Sequence, residues 1–254
     1  MNHFSLEGKL AMVTGGSRGI GLGAARAMGE SGARLILVAR SAEALAKAAN
    51  ELKSAGIEAS TSAFDLQNSE GIAGWYEECI REFGQPDILI NSAGMTRRGT
   101  ATELTLADWN AVMALNATAI FELSRAFARN LIKLGRKGKV VNIASLLTAA
   151  ARANTSAYTA SKGAVGQLTK ALAVDWAAHG IMVNAIAPGY VDTELNEALL
   201  NDAAFDTWVK TRCPLGRWGT PEDIAWPIVF FASPASDFIT GQILYVDGGW
   251  LATF

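Results

Sequence analysis

Tyr158 and Lys162 stand four residues apart in Tyr158-Thr-Ala-Ser-Lys162, so on a helix they share a face one turn apart. A lysine ammonium beside a phenol favours the phenolate and lowers a tyrosine pKa from its ordinary value near ~10, each unit corresponding to about 1.36 kcal/mol. A tyrosine tuned in this way can give or take a proton as a general acid or base. Alone, a Tyr-x-x-x-Lys pair also describes many solvated helix faces. Its company here is Ser145, upstream at the end of an apolar run, and a glycine-rich turn near the N-terminus.

That turn is Thr14-Gly15-Gly16-Ser17-Arg18-Gly19-Ile20-Gly21, placed between the apolar run Leu10–Val13 and a helical pattern. Gly15, Gly19 and Gly21 provide positions without Cβ atoms, which a sharp turn and a close backbone approach to a pyrophosphate both need. The helix N-terminus that follows favours negative charge. The spacing is G-x-x-x-G-x-G, a variant of the dinucleotide fingerprint; without its strand and helix it would be only a flexible turn. The second apolar run ends Val38-Ala39-Arg40 with no acid to accept from ribose hydroxyls. Arg40 and Arg18 can instead grip a 2′-phosphate, which points to NADP, with NAD kept open.

The elements that must position these groups alternate along the chain. Strands are expected at Leu10–Val13, Leu35–Val38, Ile57–Phe64 (weaker), Ile88–Ile90, Val140–Ile143, Met182–Ala187 and Ile243–Val246. Helices are expected near 20–31, 42–55, 69–83, 106–134 and 156–178, and from Pro221 onward. Continuous apolar strands alternating with helices predict an α/β fold: one doubly wound, Rossmann-type parallel sheet with helices on both faces. The 254 residues suit a single domain spanning 1–254. Residues 190–218, with weaker strand logic and straight after a strand's C-terminal end, are expected to form a substrate lid. A net charge of -2 with no basic run argues against nucleic-acid binding. His3 and His179 are isolated, and Cys79 and Cys213 lack metal-ligand spacing, so no metal site is expected. No signal peptide or uninterrupted membrane-length apolar run is evident, and a cytoplasmic protein is expected.

Taken together, the glycine turn, Asn91-Ser-Ala-Gly94, Asn116, Ser145, Tyr158 with Lys162, and Pro188-Gly189 resemble the short-chain dehydrogenase/reductase family over nearly the whole chain. The resemblance implies that Tyr158 exchanges a proton with substrate and that Lys162 lowers its pKa and bonds the nicotinamide ribose. It further implies that Ser145 orients the substrate carbonyl and that Asn116 holds a water linking Lys162 to solvent. Cofactor contacts are implied for Gly15, Ser17, Arg18, Gly19, Ile20, Gly21, Arg40, Asp65, Leu66, Asn91, Ala93, Gly94, Tyr158, Lys162, Pro188, Gly189, Val191 and Thr193. Ser92 departs from the more usual Asn-Asn-Ala-Gly, while the small Ala93 and Gly94 are kept. Asp65 can alternatively be a helix-capping acid.

Longer stretches, among them Thr96-Arg-Arg98, Pro214-Leu-Gly-Arg-Trp-Gly219 and Val246-Asp-Gly-Gly-Trp250, resemble the gluconate 5-dehydrogenase group and the neighbouring 2-deoxy-gluconate or ketodeoxygluconate dehydrogenases. That implies oxidoreduction of a sugar acid, with Arg97 or Arg98 pairing with its carboxylate and Ser145 and Tyr158 meeting its reacting oxygen. Alternatives are a 3-oxoacyl carrier-protein reductase or other carbonyl reductase, and a catalytically silent NADP-sensing subunit. The apolar tail Trp250–Phe254 hints at burial in an oligomer, and the family resemblance implies a homotetramer.

Overall fold

In the computed structural model, which describes residues 2–253, seven parallel strands form one sheet in the order β3-β2-β1-β4-β5-β6-β7. They are β1 (Leu10–Thr14), β2 (Arg34–Ala39), β3 (Ala59–Ala63), β4 (Ile88–Asn91), β5 (Gly138–Ile143), β6 (Ile181–Pro188) and β7 (Ile243–Val246). The helices are α1 (Gly19–Glu30), α2 (Ala42–Ser54), α3 (Ile72–Phe83), α4 (Leu106–Met113), α5 (Ala119–Leu134), α6 (Ser156–Trp176), α7 (Glu197–Leu200), α8 (Ala203–Arg212) and α9 (Pro221–Ala232).

Successive side chains on a strand point to opposite faces, so a sheet covered on both sides needs apolar residues at every position. In β1, Ala11 and Val13 pack with Met28 of α1, Leu45 of α2 and Ile228 of α9. Leu10 and Met12 join the opposite cluster, with Tyr76 of α3, Phe127 of α5 and Leu172 of α6. Strand β2 divides in the same way: Leu35 and Leu37 go to the first face, Ile36 and Val38 to the second. Each fully buried Leu, Ile or Val adds roughly 1.5–3 kcal/mol. At the edge, Ser60, Thr61 and Ser62 lie in β3, covered on one side only, which is why its apolar signal is weak.

Inside the helical run Leu106–Leu134, residues Ala114–Thr118 adopt a π-helical turn between α4 and α5. The run has a span's length and a mean hydropathy of 1.2, but half of that stretch is buried within the protein. Leu123, Phe127 and Leu131 pack on the sheet, so this is a core helix.

Chain order leaves β1 toward β2 and β3, then returns past it to β4 and outward to β7. The crevice between β1 and β4, at the C-terminal ends of the strands, is the switch point where open α/β sheets bind ligands. A buried polar ladder pins this edge. Asn91 Nδ2 donates to Asn142 Oδ1 (2.8 Å) and Ser124 Oγ (3.0 Å), and Asn142 Nδ2 donates to Thr169 Oγ1 (3.0 Å). An N142L variant strands polar atoms of both neighbours. It is expected to destabilise the fold by about 1–3 kcal/mol, read as a lowered urea midpoint at unchanged m-value.

Candidate active site

β1 runs directly into the glycine turn. Gly15 and Gly19 have φ of 65° and 52°, in the left-handed region that favours glycine. A Cβ on Gly21 would lie 2.2 Å from the Gly15 carbonyl oxygen, and one on Gly15 would lie 3.0 Å from the Ala93 nitrogen. The turn therefore folds back on itself and onto the segment after β4 only because these positions lack side chains. Thr14 Oγ1 fixes that contact, accepting from the Ser92 and Ala93 amides at 3.0 and 3.1 Å and donating to the Ile90 carbonyl at 3.2 Å. The first turn of α1 carries no acid, leaving its positive dipole end available to an anion.

Arg18, the residue before α1, and Arg40, just past β2, are both exposed, and neither takes part in an ion pair among the described residues. Asp65 is exposed after β3, followed by buried Leu66. Asp65 turns its carboxylate to the Gln67 amide (3.0 Å), while Asn68, not Asp65, caps the helical turn that follows. On the other side of the crevice, the segment after β6 brings Thr193 over Gly19: a Cβ there would sit 3.4 Å from Thr193 Cγ2. Gly189 packs against Asp247, and Val191 is buried in a bridge to Gly219.

The π-helical turn places Asn116 fully inside the protein. Its Oδ1 accepts from the Met95 amide (2.9 Å), and its Nδ2 donates to the Met95 carbonyl (2.9 Å) and Ser161 Oγ (3.0 Å). Both amide hydrogens are thus engaged, leaving one acceptor site on Oδ1 for a further donor such as water. Asn116 Oδ1 and Lys162 Nζ flank Gly94, at 3.4 and 3.9 Å from where its Cβ would be.

Ser145 ends the segment after β5 and opens a 3-10 turn over Leu146–Thr148. Its Oγ accepts from the Leu147 amide (3.1 Å), and Thr148 Oγ1 accepts from the Ser145 amide (3.3 Å) and donates to the Lys162 carbonyl (3.0 Å). Thr148, unremarked in the sequence, therefore couples the serine turn to α6. On α6, Lys162 is 4% exposed and donates from Nζ to the Ile143 carbonyl at 2.6 Å. Burial lowers its pKa to about 8.

Tyr158 is held above its ordinary pKa, because burial outweighs the opposing pull of Ser145, Arg152 and Arg98. Lys162 is not the group that lowers it: Nζ lies 5.6 Å from the Tyr158 ring centroid and bonds the Ile143 carbonyl. Arg97 turns outward to Asp108 (Nε to Oδ1, 3.3 Å) and does not reach the pocket. The Asn91 side chain belongs to the interior ladder, leaving only its backbone at the crevice. Trp250 is buried within the chain against Tyr190 and Trp208, so it gives no reason for an oligomer; Phe254 lies outside the described residues.

A cavity of about 70 Å³ is lined by Ser145 and Tyr158, with Arg98, Arg152, Tyr190 and Asn196 around them. A larger cavity of about 140 Å³, which shares Gly189 and Tyr190 with it, lies near Cys213 and Leu215. Its polar groups are already matched, Arg217 to Asp223 (2.6 Å) and Asp247 to the Gly249 and Leu251 amides (2.9 and 3.0 Å). Of the two, only the smaller is lined by Ser145 and Tyr158. Arg152 was missed from sequence; its only signal was a basic residue in the short stretch between Ser145 and Tyr158. Tyr190, Leu195, Asn196 and Leu199, from the segment after β6, line this cavity, and Tyr190 packs in an aromatic cluster with Phe205, Trp208 and Trp218. Among the described residues, no three His, Cys, Asp or Glu side chains gather as a metal site.

Residues 15–251 match the family profile described as enoyl-(acyl carrier protein) reductase. The chain is 44% identical over 246 residues to gluconate 5-dehydrogenase of Gluconobacter oxydans, covering 97% of this chain and 96% of that protein. It is also 44% identical to an L-tagatose-forming galactitol 2-dehydrogenase of Cereibacter sphaeroides, covering 97% and 96%. The crystal structure of a Burkholderia cenocepacia gluconate 5-dehydrogenase in complex with NADP and tartrate superposes with a TM-score of 0.96 at 40% identity, covering 100% and 99% of the two chains.

The Lys162 shift has a measurable consequence. Below about pH 8 both folded and unfolded states hold the proton; between about 8 and the ordinary 10.5 the unfolded state binds more, so stability rises with pH. Urea midpoints of the cofactor-free protein are expected to climb across this window, and the climb is expected to flatten in a Lys162→Met variant.

Proposed function

The chain belongs to the short-chain dehydrogenase/reductase family, and from that premise we propose that it is an NADP-dependent oxidoreductase interconverting a secondary alcohol and a ketone of a sugar acid, as gluconate 5-dehydrogenase does. The carrying observation is one pocket in which Ser145 and Tyr158 share the walls with the Arg98 cation, next to a glycine turn shaped for a diphosphate.

The residues present fit NADP. The Cβ-free turn and the open end of α1 suit the diphosphate, and Arg18 and Arg40 suit the 2′-phosphate where an acid would repel it. Asp65 and Leu66 would meet the adenine, and Ala93, Gly94, Pro188, Gly189, Val191 and Thr193 would meet the nicotinamide and diphosphate. When bound, the cofactor accepts or supplies the hydride. In oxidation, Tyr158 takes the hydroxyl proton as the carbinol carbon loses hydride, leaving a ketone; in reduction, Tyr158 returns the proton. Ser145 donates to the reacting oxygen and stabilises developing negative charge. Lys162 supplies a donor for the ribose, and Asn116 keeps Gly94 and Met95 in place around it while holding a water.

A neutral polyol is the second reading, favoured by the Cereibacter sphaeroides relative; Arg98 tilts the choice to the acid. Residues 190–218 act as the lid over this pocket. Exposed Leu106, Trp109, Phe121, Trp226 and Phe238 support assembly into a homotetramer. The two buried free thiols suit the reducing cytoplasm.

Steady-state oxidation of D-gluconate is expected to run with NADP⁺ in preference to NAD⁺, and galactitol is expected to be the poorer substrate. Arg40→Ala is expected to raise the NADP⁺ KM about tenfold or more, with a much smaller change for NAD⁺. Tyr158→Phe is expected to lower kcat by about 10²-fold or more while NADPH still binds. Undiminished turnover in that variant would remove the proton-transfer role.

A further inference from the structure

We propose that Arg152 and Arg98 together form the subsite that receives the substrate carboxylate, and that Arg152 is the residue setting the preference for an acid over a neutral sugar. The proposal rests on the sugar-acid reading above. Arg152 lies between the serine turn and α6, with its guanidinium carbon 5.2 Å from the Phe205 ring centroid and 5.9 Å from that of Tyr190. Its Nε is buried without a hydrogen-bond partner. Neither Arg152 nor Arg98 is in an ion pair among the described residues, and no carboxylate lines their cavity. Arg97, the other cation of the sequence pair, is already held by Asp108.

Two cations facing one cavity repel each other. Burial and the charge of Arg152 both lower the pKa of Arg98, and the charges of both arginines reach Tyr158. An anion between them would relieve the repulsion and satisfy the orphaned donor, and a guanidinium presents the forked geometry a carboxylate accepts. The backbone holds the two in register. The Gly99 amide donates to the Asn154 carbonyl at 3.2 Å, joining the Arg98 segment to the Arg152 segment. Asn154 adopts a left-handed φ of 62°, and Thr155 Oγ1 donates to the Arg152 carbonyl at 2.7 Å. Packed against the rings of Phe205 of α8 and Tyr190, which touch each other with centroids 5.6 Å apart, the Arg152 side chain has little rotamer freedom left to lose on binding.

The test compares D-gluconate with D-gluconamide, which keeps the sugar and removes the negative charge, in wild type, R152Q and R152K at saturating NADP⁺. Wild type is expected to favour gluconate in kcat/KM by about 30-fold or more, mainly through KM. R152Q is expected to erase most of that preference, R152K to restore part of it, and NADPH affinity to stay at the wild-type value in both. Equal use of the two substrates by wild type overturns the proposal without any variant. So does an R152Q protein that loses both substrates in proportion, since that marks a packing role through Tyr190 and Phe205. A wild-type enzyme that oxidises no sugar acid sinks the parent reading and this one together. One that oxidises gluconate while R152Q keeps the preference sinks this one alone.

Discussion

A buried ammonium is the constraint around which the site is built. Lys162 has almost no exposure and one strong acceptor, the Ile143 carbonyl. Taking a charge out of water costs several kcal/mol unless its hydrogen bonds are replaced, and the drop of its pKa to about 8 is the visible answer. The neighbours are arranged around that charge. Gly94 lies next to Nζ, its Cβ position 3.9 Å away, and Asn116 holds the Gly94–Met95 backbone from the other side. Thr148 ties the Lys162 carbonyl to the serine turn. The ends of β4 and β5, the π-helical turn and α6 must all be in register for a lysine to be tolerated there.

The sheet topology supplies that register. Parallel strands deliver their C-terminal ends to one edge, so segments distant in sequence arrive together: the glycine turn after β1, Gly94 after β4, Ser145 after β5 and Gly189 after β6. Reversal of strand order between β1 and β4 opens the crevice. The Thr14 hydroxyl and the Asn91–Asn142–Thr169 ladder keep it from splaying. The side-chain donors of these groups are engaged with one another or with backbone carbonyls, which lets such a network fix geometry without a large penalty.

What the sequence disclosed follows the same physics. The five inner strands were legible because a doubly covered strand must be apolar throughout; at the edges β7 kept an apolar run, and β3 was faint because one side is open. Tyr158, Lys162, Ser145 and the glycine turn stand out in the sequence because those residue types at those spacings can do chemistry, and the fold brings Ser145 and Tyr158 to one cavity. The π-helical turn at Asn116 was not, since one extra residue in a turn leaves the apolar period of Leu106–Leu134 nearly intact. Position also hid Arg152: a lone arginine in a loop has no periodicity, and only the fold brings it beside Arg98. Trp250 was misjudged because an apolar tail looks the same whether its own chain or a partner covers it. The Lys162 effect on Tyr158 was overdrawn for a related reason: spacing puts two residues on one face but does not say to which acceptor the ammonium points.

Separation of chemistry from selection explains how one scaffold serves different substrates. On the proposed mechanism proton transfer belongs to α6 and the serine turn, packed against the sheet, whereas the cavity walls come from segments that follow strands: 96–98 after β4, 146–155 after β5 and 190–199 after β6. Those segments can change without disturbing Lys162. The two functions still meet electrostatically, because the arginines that face the cavity also favour the Tyr158 phenolate. On the reading that a carboxylate binds between them, its charge offsets theirs and leaves the phenol more firmly protonated. A neutral sugar leaves the cations uncompensated and the phenol easier to ionise. Acid and neutral substrates would then meet proton donors of different strength in the same pocket. Selectivity would therefore show in the pH dependence of turnover as well as in affinity.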